Sequence, residues 1–206
     1  MKFIAKLLSI IFFPLLIPIY GTFLLFSLTL FSFYPQIYLH SAYLTVIIFG
    51  TIVPFVCIFI LYKLKIISDI GLSDRKDRFL PYFCTSFSYY ICAIILSRLA
   101  MPLFVPVLMI AIALALFINA IVNVWWKISA HMTGVGGLMG GILCVSYQLY
   151  INPSLWIIIV LLVCGMVAAA RLYLNAHTHG QIVAGFLNGL LCTIIVPNLG
   201  IVKMLF

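Results

Sequence analysis

Charge is what this sequence has least of. Glutamate is absent, Asp69, Asp74 and Asp77 are the only acidic residues, and charged side chains make up 7% of 206 positions. A soluble domain carries roughly 25%. With 67% hydrophobic residues, a globule of this size has too much surface for its volume to hide them. A soluble protein is therefore excluded, and lipid is the solvent. No run alternates polar and apolar residues as barrel strands do, so helices remain the way to cross a bilayer without bare backbone groups. None of the six cysteines (Cys57, Cys84, Cys92, Cys144, Cys164, Cys192) shows CxxC spacing. They lie in apolar runs and read as buried thiols that pack like small hydrophobes. No continuous basic tract exists outside one loop, so the net charge of +8 points to anionic lipid headgroups rather than nucleic acid. No convincing A-x-A cleavage site follows the apolar run behind Lys2 and Lys6, and that run is too long for a cleavable signal core.

What is present is a series of long apolar stretches. A helix crosses the hydrocarbon with about 20 such residues. Seven stretches reach or approach that length, at 7–34, 41–62, 79–96, 103–126, 132–150, 154–170 and 182–201. Pro14 and Pro18 predict a kink or an interfacial segment in the first, leaving six or seven spans. The fifth carries Gly136, Gly137, Gly140 and Gly141, two overlapping GxxxG pairs that allow close approach of a neighbouring helix. The expected fold is an all-α integral membrane bundle forming a single transmembrane domain over 1–206, located in a bacterial inner (cytoplasmic) membrane.

By parity, the loops after spans two, four and six open on one side. They hold Lys63 to Arg78, Lys127 to His131, and Arg171 to Gln181. With Lys2 and Lys6, that side carries nine of the eleven Lys and Arg residues, leaving Arg98 and Lys203 opposite. The positive-inside rule would make the rich side cytoplasmic. A phosphate site would use many of the same residues, so the orientation stays open. Ser129 is placed to cap the helix after it. His177 and Gln181 are four apart, and on a helix starting near them they share a face.

These loops resemble the three motifs of the type 2 phosphatidic acid phosphatase superfamily. Arg171, His177 and Gln181 resemble the third motif, Ser-Arg-x5-His-x3-Asp. Ser129-Ala130-His131 resembles the second, Pro-Ser-Gly-His, and the loop ending in Arg78 and Pro81 stands where Lys-x6-Arg-Pro belongs. The phosphatase-like core covers about 63–197. Gly71 and Phe79 depart from the first motif, Ile128 and Ala130 from the second, and Ala170 and Gln181 from the third.

The resemblance implies a membrane-embedded hydrolase acting on a lipid phosphate monoester or diphosphate, without cofactor or metal. His177 would attack phosphorus to form a phosphohistidine, and His131 would protonate the leaving oxygen. Gln181 would orient His177 in place of the family's aspartate, and Arg171, Arg78, Arg75, Lys76 and Ser129 would bind the phosphoryl oxygens. One of the three aspartates is a candidate for the missing negative charge, and His179 is expected to face water. Two alternatives stand beside this reading. One is a weakly active or inactive protein that binds or transports a lipid phosphate; the other is a zinc site of His131, His177 and His179. The expected partners are the bilayer and a phosphorylated lipid, with no nucleic acid.

Overall fold

The computed structural model describes residues 1–27, 31, 34–99 and 101–199, which are helical and contain no strand. Among these residues, six helices are long and apolar enough to cross a membrane, so the chain is a helical membrane protein. Lys203 lies outside the described residues, as do parts of the first and last expected spans.

The first expected span is not one helix. It forms α1 (Lys2–Ile11) and α2 (Ile17–Ser27), separated by a turn that contains Pro14. Proline lacks the N–H a continuing helix needs. Phe3, Ile4 and Ile10 of α1 are exposed beside Lys2 and Lys6, while Ala5 is buried. An apolar outer face beside lysines is the pattern of a helix lying at the lipid–water boundary.

The second span, Gln36–Lys63, is α3 (Gln36–Ile47) and α4 (Val53–Lys63) joined by a π-helical turn, Ile48–Ile52. Pro54 explains the turn, because it cannot donate to the preceding helical turn. Ser88 donates its hydroxyl to the Phe49 carbonyl at 2.6 Å, and Thr51 donates to Leu15 at 2.7 Å. Carbonyl groups that lipid would leave bare are thus paired.

The remaining spans are α5 (Phe79–Arg98), α6 (Phe104–Val122), α7 (Ala130–Leu149), α8 (Ser154–Tyr173) and α9 (His179–Asn198). The α7–α9 seam is the closest contact. A Cβ added at Gly136 would sit 2.0 Å from the Phe186 carbonyl oxygen, and one at Gly189 would sit 2.0 Å from that of Thr133. Backbone meets backbone there. Gly136 and Gly140 supply one side of the seam, and Gly185 and Gly189 of α9 supply a matching GxxxG on the other. Gly137 and Gly141 have looser surroundings.

Polar residues tie the same helices together. Asn119 of α6 donates to the Thr133 hydroxyl at 2.9 Å and accepts from the Asn188 amide at 3.0 Å. Asn188 also donates to the Ala115 carbonyl at 2.9 Å. In lipid such bonds contribute about 1 kcal/mol each. Of the cysteines, Cys92, Cys144 and Cys192 are buried, whereas Cys57, Cys84 and Cys164 are half-buried.

Candidate functional site

The loops before α5, α7 and α9 meet at one end of the bundle, as their parity predicted. Arg78 closes a single 3-10 turn, Lys76–Arg78, and is buried. Its Nε donates to the Leu72 carbonyl at 2.8 Å and its Nη1 to that of Ile128 at 3.3 Å. Leu72 adopts a left-handed backbone, φ 53°, a conformation that costs about 1 kcal/mol or more outside glycine. That conformation accompanies the bond from its carbonyl to the guanidinium.

The aspartates hold this loop rather than the histidine. Asp69 accepts from the Ser73 N–H at 3.0 Å, Asp74 from the Lys76 N–H at 3.1 Å, and Asp77 from both the N–H and the hydroxyl of Ser68. None of them bonds to His177, so the suggestion that an aspartate replaces the family's orienting charge does not hold. Arg75 donates to the Val124 carbonyl at 2.6 Å, and Lys76 is exposed. Neither lines the pocket described below.

Ser129 stands at the N-cap of α7, but its side chain makes no capping bond. The buried hydroxyl has no partner. The Ser129 N–H instead donates to the Gln181 carbonyl at 3.3 Å, joining the start of α7 to the start of α9. His131 donates from Nε2 to the Ser9 carbonyl at 3.0 Å, and its ring stands edge-on to Phe13, centroids 6.0 Å apart. The proton expected on the leaving group is therefore held by α1.

His177 and Gln181 meet, though not by sharing a helical face. His177 precedes Thr178, the N-cap of α9, and Gln181 closes a capping box with it. The Gln181 amide oxygen accepts from the Thr178 N–H at 3.1 Å and lies 3.3 Å from His177 Nδ1. The Lys127 carbonyl is 3.2 Å from the same Nδ1. Two acceptors at Nδ1 require the proton there, which leaves a lone pair on Nε2. Burial, with Arg78 and Arg171 adding repulsion, pushes the His177 pKa down to about 4; the bonds to Lys127 and Gln181 oppose this. The imidazole is neutral at pH 7.

Arg171 reaches the same place from the end of α8. Its Nη1 donates to the Ser9 hydroxyl at 3.2 Å, while its Nε is buried and unpartnered. Arg78, Arg171, His131, His177 and Tyr82 line one pocket, closed on the α1 side by Phe13. Neither guanidinium bonds to a carboxylate. The Lys127 ammonium feels the same field: burial lowers its pKa first, then Arg78 and Arg171, with Asp74 and Asp69 opposing. His179 is exposed. Among the described residues, no three His, Cys, Asp or Glu side chains group closely enough to hold a metal ion, so the three histidines do not assemble the zinc site considered above.

Three participants escaped the sequence reading. Tyr82 lies one helical turn beyond Arg78, a spacing that signals a shared face. Ser9 and the Lys127 carbonyl carried no signal, since one lies more than a hundred residues away and the other is backbone. Fold and site together define a helical membrane protein with a pocket lined by two guanidiniums, Arg78 and Arg171, that bond to no carboxylate. Compared with known proteins, the chain matches no family model, no curated protein and no solved structure.

Proposed function

We propose that this pocket binds the phosphoryl group of a membrane lipid and hydrolyses it through a phosphohistidine on His177, as in the type 2 phosphatidic acid phosphatases that the motifs resemble. The observation that carries the reading is the pair of guanidiniums, buried Arg78 and half-buried Arg171, beside neutral His177 and without a carboxylate partner. Uncompensated buried charge is costly, and a phosphate dianion would compensate both. The guanidinium fork engages two oxygens at once.

In the proposed reaction, His177 Nε2 attacks phosphorus while Nδ1–H stays on the Lys127 carbonyl and Gln181. The P–O bond to the lipid breaks, and the departing oxygen takes the Nε2 proton of a doubly protonated His131, which becomes the neutral imidazole. Water deprotonated by His131 then attacks the phosphohistidine, returning His177 and releasing phosphate. Arg78 and Arg171 stabilise the charge gathering on the equatorial oxygens. Gln181 fixes the tautomer. It supplies a dipole where the family has a full charge.

Purified protein tested on a panel of lipid phosphates should release phosphate, and His177→Ala should remove all of that release. Retention of turnover in that variant sinks the mechanism. A second reading, binding or transport without turnover, is favoured by the Ser9 carbonyl on His131 and by Gln181. Tight, Arg171-dependent binding with no release would select it.

A further inference from the structure

A long apolar cavity lies inside the bundle, next to the cationic pocket. Its cavity volume is about 90 Å³, part of it is open to the outside, and it is walled by α2, α6 and α7, with Tyr89 of α5 and the Gly189 region of α9. Pro14, Leu15, Leu116 and Ala130 line both spaces, so the two adjoin through a common wall.

The lining says what kind of occupant fits. Its wall residues are almost all apolar, and three of its hydroxyls are already bonded: Thr22 to the Pro18 carbonyl, Thr133 to Asn119 and the Ser129 carbonyl, and Thr193 to the Gly189 carbonyl. Among the described residues, the Tyr89 hydroxyl is the one further polar side-chain group in this lining, so little is left to hold a headgroup. Along α7 the walls run from Ala130 to Val145, about 22 Å at 1.5 Å per residue. That is most of the roughly 30 Å hydrocarbon core. The chamber is narrow as well as long. A Cβ at Gly134 would already lie 3.0 Å from Ile17, one at Gly21 3.5 Å from Leu138, and one at Gly141 3.8 Å from Leu108.

We infer that this chamber is the seat of a single long hydrocarbon chain whose anionic head lies between Arg78 and Arg171. The ligand class is a monophosphate or diphosphate ester of one long-chain alcohol, rather than a two-chain glycerolipid. The inference rests on the phosphoryl reading of the cationic pocket for the head, while the chain seat stands on the cavity itself. The chain enters with its head at Ala130 and its far end near Val105, Met109 and Val145, which belong to one apolar cluster. The narrowness of the chamber at Gly134, Gly21 and Gly141 is what favours one chain over two.

Photo-crosslinking in nanodiscs tests this on the full chain. Hexadecyl phosphate carrying a diazirine on its terminal carbon should label Val105, Leu108, Met109 or Val145. Gly141→Phe, and independently Gly21→Leu, should reduce that labelling by about tenfold, as displacement of a few buried methylenes implies. Gly165→Phe, at a position with nothing nearby, should leave it unchanged. Labelling confined to the outer face of α8, or unaffected by either filling variant, overturns the chain seat. Equal competition by dipalmitoyl phosphatidate overturns the one-chain assignment. Hexadecanol with the same diazirine separates the two readings. If it labels the chamber as well as the phosphate does, and Arg171→Ala changes neither, the chain seat stands and the phosphoryl reading fails.

Discussion

The α7–α9 seam and the α8 helix are both apolar and equally long, yet they are held in opposite ways. Along the seam, glycines bring backbones into contact, and Asn119, Thr133 and Asn188 cross-link the helices. Helix α8 exposes Leu155, Ile158, Leu161 and Leu162, and Gly165 has nothing within 4 Å. The difference falls across the site. His131 and His177 stand at the starts of α7 and α9, joined by the bond from Ser129 to Gln181. Arg171 comes from the end of α8 and meets Ser9 of the interfacial α1. The contrast places both histidines on the seam and leaves Arg171, with its contact to α1, on the looser side. Phosphate binding should therefore tighten α1 and α8 more than α7 and α9.

The seam offers the largest effect. Gly136→Val or Gly189→Val places side-chain atoms where a carbonyl oxygen already lies, and should destabilise by about 4 kcal/mol or more, read as loss of the thermal unfolding transition in detergent. A small shift would mean the helices are not in backbone contact. Next comes the looser side: Arg171→Ala should lower kcat/KM for lipid phosphate by about 10²-fold while leaving thermal stability nearly unchanged. Coupled loss of stability would show that Arg171 is structural.

Gln181→Asp sharpens the comparison at the junction. A carboxylate beside Nδ1 should raise the His177 pKa above its depressed value of about 4 and raise turnover up to about tenfold. Imidazole NMR titration and phosphate release measure the two, and no change in either would remove the orienting role. The wild-type depression has its own pH signature. Because native His177 binds its proton near pH 4 and the unfolded chain near 6.5, the unfolded state holds more protons between those values. Its contribution to stability is full above about pH 6.5 and is lost as pH falls toward 4. His177→Asn should flatten that part of the stability profile. Asn119→Leu should cost about 1 kcal/mol. The smallest effect is expected at Gly165→Ala on α8, a gain of under about 1 kcal/mol from helix propensity.

Much of the fold was legible. The six long helices lie where apolar runs of bilayer length predicted them, with ends shifted by a few residues. The break in the first run was legible in Pro14, but length and hydropathy do not distinguish a kinked span from an interfacial helix followed by a short apolar one, so the sequence left six or seven spans open. Arg78, Arg171, His131 and His177 were legible because scarce ionisable residues in lipid-solvated chains stand out. Arg75 and Lys76 were misplaced because adjacent loop residues face different ways. Only the backbone of the turn decides that Arg78 points inward and Arg75 toward Val124.

By itself, the sequence determined the membrane class, the approximate spans and the gathering of three basic loops at one end. These follow from local composition, because hydrocarbon forces every backbone group into a helix of bilayer length. Which glycines meet, which carbonyl holds His177, and the chamber beside the cationic pocket were decided only in the tertiary structure. Those features depend on contacts between residues far apart in the chain. Their pairing comes from shape and hydrogen-bond satisfaction across several helices, which no window of neighbouring residues contains.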